Sequence, residues 1–568
     1  MRGYAEIPVP PGVHLLDPRT VPQFEVPLPD ALDPAFKFPS NTQVAIHAFS
    51  QDLGLTGLSP QPKPTRLYGY GRSAGDATYP GKTFDVPNGG AHTVTWRNAL
   101  PTGTPHLLPV DNTIHTAWSA SEGPSPYTFP TDLPVVTHLH GGYTDSGSDG
   151  FPEFAQMRVQ GGRITVIYDR QEAATLWYHD HALGITRLNV YAGLVGFNIV
   201  RDEFDTGDAA TNSPKLPAHP YEQLIVVQDR MFTDDFQLYF PSAPLTAIEL
   251  FGPADYPDPT VMAEFFGNHI IVNGKAWAVL DVEPRLYRLR FLNGCDSRFL
   301  NMSINGLGFL AIGTDQGLLN APVRIRAINL APAERLDVLI DFSKAAGETL
   351  VLKNDAPGTL PDPLVLNPRT TGRIMAFRVG SAVTDTANNA VPRRLRGGAG
   401  LPPALPPPPA FDPVDPPPGI TVRQVVLYEG TDPMGRIKPV LGTLQGPLMW
   451  SDPTTETIAF NATEIWEIYN TTEDAHPIHL HLVAARIVNR QRIEVEKFVP
   501  GPGAAPPPLC GRPKAPKAEE NGRKDTFKAY AGTVTRIIAT FDKRGTWVWH
   551  CHILSHEDHE MMRRFTVA

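Results

Sequence analysis

Short runs of alternating apolar and polar residues dominate the chain, and apolar spacings of three to four are scarce. Thr93–Trp96, Tyr287–Leu292, Ile465–Tyr469 and Val534–Thr540 are examples of the two-residue period. Side chains in a strand alternate between faces, so this period predicts half-buried strands. Turn residues recur between the runs, which predicts an all-β chain built from Greek-key β-sandwich domains. Two breaks divide the pattern. Residues 401–418 carry ten prolines, too many for a packed element, and read as a stiff extended linker. A softer, Asp-rich break runs from Arg201 to Pro217. The predicted division is a first domain over 1–205, a second over 215–380, a linker over 381–420 and a third over 421–568. A further Pro-rich stretch, Pro500 to Pro516, falls inside the third domain and reads as a surface loop.

The first and third domains repeat one another. Leu176-Trp-Tyr-His-Asp-His-Ala-Leu183 resembles Trp547-Val-Trp-His-Cys-His-Ile-Leu554, and Thr137-His-Leu-His-Gly141 echoes Pro477-Ile-His-Leu-His481. Asp180 stands in the first copy where Cys551 stands in the last. The middle domain, closing on the strand-like segment Ile374–Gly380, has no His-X-His.

At 568 residues the chain is long enough for three domains. Its net charge of −10 argues against nucleic acid or an anionic membrane surface as the main partner. No apolar run reaches the roughly 18 residues of a membrane span. Three cysteines are too few for a disulfide scaffold. Cys295 and Cys510 could pair or stay free, since sequence does not reveal their separation.

The histidines carry the chemistry. Of 18, ten fall into four short clusters: His138 and His140; His179 and His181; His476, His479 and His481; His550, His552 and His556. One His-X-His is ordinarily a pair on a solvated strand face, but four pairs, two in each end domain, are not explained that way. Near the end of the chain Cys551 is followed by His556 and, ten residues on, by Met561. Two imidazoles, one thiolate and a weak thioether form the ligand set of a blue-copper centre, and His476 supplies the second imidazole. Paired cysteines or Cys₂His₂ spacing, which a structural zinc site needs, are absent. Strand alternation turns His550 and His552 away from Cys551. Eight histidines are then left, enough to hold three coppers, with three imidazoles on each of two ions and two on the third. That cluster is expected in the cleft between the first and third domains.

His138-Leu-His-Gly, Trp177-Tyr-His-Asp-His, His476-Pro-Ile-His-Leu-His and His550-Cys-His-X₃-His-X₄-Met resemble the motifs of the multicopper oxidases. The likeness is close to the branch of bacterial spore-coat laccase and bilirubin oxidase, which also includes phenoxazinone synthase. It extends to Ser148-Asp-Gly150, Thr186–Gly193, Ala331-Pro-Ala-Glu-Arg335 and Lys524-Asp-Thr526. The resemblance implies three cupredoxin-like domains and four coppers. It implies a type 1 copper on His476, Cys551, His556 and Met561, and a type 2 copper on His138 and His479. The type 3 pair is implied on His140, His179, His181, His481, His550 and His552. Electrons from a phenol or aromatic amine would enter through His556, cross Cys551 and reach the cluster, where O₂ is reduced to water. Asp149 and Glu557 are expected near the type 2 site and the oxygen channel as proton donors; their plainer roles are a turn cap and a second partner for a ligand imidazole.

Bilirubin oxidation, aminophenol coupling and oxidation of Cu(I) or Fe(II) are alternative activities, and a copper-free structural relative is the alternative outside enzymes. A monomer is expected. Met1 to Asp30 lacks a secretory signal, so a cytoplasmic chain, a spore- or cell-surface chain and a secreted chain with its leader removed all stay open.

Overall fold

In a computed structural model the chain forms six sheets that pair into three β-sandwiches. The structure describes residues 8–568 except 89, 104, 117–132, 154–160, 169–170, 356–365 and 412–417. One sheet of each sandwich repeats a common strand order. In the last sandwich it runs Glu456–Ile458, Met562–Val567, Gly545–Cys551, His476–Leu480 and Thr526–Ala529. In the middle one it runs Val279–Val282, Arg373–Val379, Thr349–Asn354, Leu300–Ile304 and Ile328–Leu330. The first ends on Val195–Arg201, Ala174–Asp180 and Thr137–His140.

The repeat read from sequence becomes a register. His138 stands opposite His179 in one antiparallel pair, and His479 stands opposite His550 in the other. The middle sandwich puts Asn301, Met302 and Ser303 on the corresponding strand and has no imidazole there. Alternation sorts the last sandwich as expected: Trp547, Trp549 and Cys551 enter its core, whereas Val548 packs elsewhere with Leu183, Trp450 and Met562.

One local difference from the sequence reading has a simple cause. Leu509–Lys514 forms a strand on Arg486–Ile493 inside the predicted surface loop, because its backbone pairs although its side chains stay mostly exposed. Of the Pro-rich linker, 401–411 contains no helix or strand, and 412–417 lies outside the described residues. Cys295, Cys510 and Cys551 are all free thiols. Among the described residues, no helix is long and apolar enough to cross a membrane.

The sandwiches are tied together by buried charge. Arg288, in the middle sandwich, contacts Asp205 at 2.7 Å and Asp337 at 2.5 Å. Arg290 reaches Glu222 at 2.7 Å and the Thr175 hydroxyl of the first sandwich at 2.8 Å. Between the first and last sandwiches, Asp558 accepts from the backbone N–H groups of Thr186 and Arg187 at 3.0 and 2.9 Å. It thereby satisfies the otherwise unpaired start of the helix Thr186–Ala192. Removing one partner from a buried ion network leaves the others uncompensated. Arg288→Met should therefore lower unfolding free energy by about 3–5 kcal/mol in urea titration; a midpoint like that of the parent protein would contradict the network's importance.

Candidate metal centre

Two groups of donors emerge from these strands. At the end of Gly545–Cys551, the short helix Leu554–Asp558 turns the chain back and carries His556 towards the thiol. The Cys551 Sγ lies 3.6 Å from His476 Nδ1 and 3.8 Å from His556 Nδ1. Met561 is brought alongside by a 3.0 Å hydrogen bond from the Cys551 N–H to its carbonyl, and shares the same buried apolar cluster. The Ile553 N–H donates to the sulfur at 3.4 Å, and His476 Nε2 is held by Thr472 Oγ1 at 2.8 Å. His556 keeps 2% exposure and His476 none, so His556 offers the ring closer to solvent. Met562, one residue on, packs in the other cluster, so the adjacent thioether is not a second candidate.

The second group lies where the first and last sandwiches meet. His181, His481 and His550 bring their Nε2 atoms together, with His550 Nε2 3.3 Å from His181 Nε2 and 3.2 Å from His481 Nε2. Nitrogens bound at about 2.0 Å to one ion with tetrahedral angles stand about 3.3 Å apart, so this spacing suits a shared metal. The rings of His140, His179 and His552 pack with centroids 5.0 to 5.6 Å apart. His138 and His479 lie between, 5.9 Å apart.

Hydrogen bonding separates the two nitrogens of these rings. Nδ1 of His138, His179 and His479 is bound to the carbonyls of Asp149, Asp180 and Asp525, at 2.5, 2.8 and 2.8 Å. Their Nε2 atoms, and Nδ1 of His140, are buried without a hydrogen-bond partner. Buried polar atoms are ordinarily satisfied. A set of unsatisfied imidazole nitrogens converging on one space fits metal ligation, with the opposite nitrogen orienting each ring.

Burial sets the protonation of the site. It pushes His138 and His476 down to about 3, and holds His140, His179, His181, His479 and His481 well below the ordinary histidine value. These rings are neutral and ready to ligate at physiological pH. Burial also pushes the Cys551 thiol up, and a bound cation would displace that proton. Asp149 is pushed up to about 7 by burial, against the opposing hydrogen bond from Thr144. Its Oδ2 accepts from His481 Nδ1 at 2.7 Å. Gly150, at φ +79°, lets the chain turn there; a Cβ would meet the His138 backbone. Glu557 lies 3.3 Å from His181 Nδ1 and 3.0 Å from His550 Nδ1, bridging two rings of the end sandwiches.

Sequence models of multicopper oxidases match residues 130–205, 252–358 and 424–568, and the first and last of these contain every clustered histidine. A laccase of Bacillus subtilis (strain 168) is 38% identical over 565 residues, 96% of this chain and 98% of that protein. The chain belongs to the multicopper oxidase family. Multicopper oxidase LPR1 of Arabidopsis thaliana is 33% identical over 89% of this chain and 85% of its own. Two solved structures share the fold at TM-score 0.65: McoA of Aquifex aeolicus, 22% identical over 96% of this chain and all of that one, and a multicopper oxidase of Pediococcus acidilactici, 23% identical over 99% and 93%. Copper binding and oxidoreductase activity follow from the family, and the donors described above suit copper.

All the histidines, the cysteine and the methionine singled out by spacing reach one of the two groups of this multicopper oxidase. The sequence singles out Asp149 and Glu557 beside them, but not every group that holds them. Thr472, Asp525 and Arg335 touch the rings or their carboxylate partners, yet no His or Cys pattern points to them. Arg335 lies 190 residues from the aspartate it contacts, so only the fold joins them.

Because the unfolded chain protonates its histidines near 6.5 while these buried rings resist until about 3, acid favours the unfolded state throughout that window. The contribution is intact above 6.5 and is lost as pH falls towards 3. The metal-free protein should lose about 1.4 kcal/mol per pH unit for each such ring, read from urea midpoints at successive pH values. A midpoint that stays flat from pH 6.5 to 4 would refute this account of the rings.

Proposed function

We propose that this multicopper oxidase is laccase-like. It couples four one-electron oxidations of phenols or aromatic amines to reduction of O₂, with four protons, to two waters. The observation that carries the reading is the single strand end on which Cys551 faces one donor group while His550 belongs to the other. In this reading His476, Cys551, His556 and Met561 hold the type 1 copper, and His138 and His479 the type 2 copper. One type 3 ion takes His140, His179 and His552; the other takes His181, His481 and His550. The first and third domains, 1–205 and 421–568, share the cluster, and the domain over 215–380 holds no copper.

Bound copper would supply the one-electron chemistry and the binding of O₂. The chain supplies the connection and the protons. Cys551 is one peptide bond from both His550 and His552, and His550 Nδ1 also donates to the Cys551 carbonyl at 3.0 Å. The thiol and the cluster are thus coupled through bonds and through a hydrogen bond. Asp149, with its value near neutrality, can keep a proton on Oδ1, where the Thr144 hydroxyl 2.8 Å away can turn from donor to acceptor. The absence of a Cys551 equivalent at Asp180 leaves a single point at which organic substrates can be oxidised. His556, the more exposed ring, is the edge nearest such a substrate.

Copper loading should produce an intense blue thiolate band and O₂ uptake with a phenol. Uptake compared across a phenol, an aromatic amine, bilirubin, Cu(I) and Fe(II) ranks the substrates; preference for the metal ions would turn the reading towards a metallo-oxidase, and a colourless inert protein would end it. Cys551→Ser should abolish colour and phenol oxidation together while leaving three coppers bound, as counted by elemental analysis. Asp149→Asn should keep the blue band and slow turnover by roughly 10- to 100-fold; unchanged turnover would remove Asp149 from proton delivery.

A further inference from the structure

The cluster has an approximate two-fold arrangement that reaches beyond its imidazoles, and it singles out an aspartate outside every histidine motif. On one side, Asp149 accepts from His138 of its own sandwich through its main-chain carbonyl, and from His481 of the last sandwich through its carboxylate. On the other side, Asp525 does the same with the sandwiches exchanged. Its carbonyl accepts from His479 Nδ1 at 2.8 Å, and its Oδ1 lies 3.1 Å from His140 Nε2. The ring stacks follow the same exchange: His138 on His481 at 4.0 Å and His140 on His479 at 3.6 Å.

The two sides differ in one respect. His481 turns Nδ1 to its carboxylate and Nε2 inward, whereas His140 turns Nε2 to its carboxylate and leaves Nδ1 facing the cluster. The surroundings of Asp525 fix that orientation. Its carboxylate receives Arg335 Nη1 at 2.7 Å and Nη2 at 2.5 Å, Gln316 Nε2 at 2.6 Å and the Thr526 hydroxyl at 2.9 Å. Thr526 Oγ1 is the other neighbour of His140 Nε2, at 3.1 Å, and its own proton is already committed to Asp525. Nε2 therefore faces only acceptors and carries the ring proton, so Nδ1 keeps its lone pair.

Arg335 is equally committed. Its remaining donors reach the carbonyls of Thr175, Ala333 and Asp315, so its five N–H groups meet five acceptors. Thr175 belongs to the first sandwich, Ala333 and Asp315 to the middle one and Asp525 to the last. Gly141, next to His140, allows the close approach: at φ +86°, its Cβ would stand 2.7 Å from Asp525 Oδ2. Among the described residues no arginine or lysine pairs with Asp149, so the fixed clamp is on the Asp525 side alone.

We propose that Asp525, aligned by Arg335, is a positioning residue that holds His140 in the Nδ1-ligating tautomer, and that the middle sandwich takes part in the metal centre through this contact. The inference rests on the trinuclear reading above. Asp525→Asn replaces one acceptor oxygen with an NH₂ among five converging donors, so His140, Arg335 or Gln316 must turn away. The copper-loaded variant should keep the blue thiolate band of the type 1 site, bind fewer than four coppers and show a type 3 pair that is no longer EPR-silent. Its kcat should fall roughly 10- to 100-fold with KM little changed. Arg335→Lys keeps the charge but not the two-pronged contact, and should give the same selective loss in weaker form. It carries the test if Asp525→Asn does not fold. Four coppers and an unaltered type 3 signature in the folded variants would overturn the clamp, while a parent protein that binds only one copper would overturn the trinuclear reading itself.

Discussion

Everything about the metal centre depends on uncharged imidazoles being crowded in a buried interior. Eight rings meet between two sandwiches, and several have a nitrogen with no hydrogen-bond partner. Protonating them there would set like charges a few ångströms apart in a poorly screened interior. Desolvation therefore keeps seven of these rings neutral. The unpaired nitrogens remain a cost that a bound cation would remove, and most of the rings are held from the opposite side by a carbonyl or carboxylate. Outer contacts of this kind determine which lone pair points inward.

The two aspartates show how one backbone arrangement can serve two electrostatic ends. Each uses its carbonyl for a ring of its own sandwich and its carboxylate for a ring of the other. Asp149 has only the Thr144 hydroxyl and two histidines for company, and burial brings it near neutrality. Burial acts on Asp525 in the same direction, but the Arg335 guanidinium together with the hydrogen bonds from Thr526 and Gln316 outweighs it and holds the carboxyl below its usual range. Asp149 lies near neutrality, whereas Asp525 remains a fixed anion.

The strands and the donors were legible in the sequence because both depend on short periods. Alternation marked Tyr287–Leu292 and Val534–Thr540 as strands, and both lie within observed ones. Likewise, i, i+2 histidines on a strand must share a face, so the pairs could be assigned to sites before any coordinates. What holds the site was legible only in part: Asp149 and Glu557 stand out beside the motifs, but the contact between Arg335 and Asp525 does not. Arg335 meets Asp525 only because the middle and last sandwiches pack together, and no local rule spans 190 residues. The strand Leu509–Lys514 was missed for a different reason: Pro513, the prolines just before the strand and its exposed side chains conceal a backbone that pairs along an edge.

The division of donors between the two ends of the chain also has a meaning in time. During synthesis His138 to His181 emerge about 300 residues before His476, and the Cys551 strand emerges later still. An early intermediate owns half of the clustered histidines, four imidazoles without Cys551, and can offer any one metal only a partial shell. The complete coordination shell appears when the first and last sandwiches close on each other. Metal capture is thus linked to completion of the fold, and a stable holoprotein is also a record that the two distant ends have found one another.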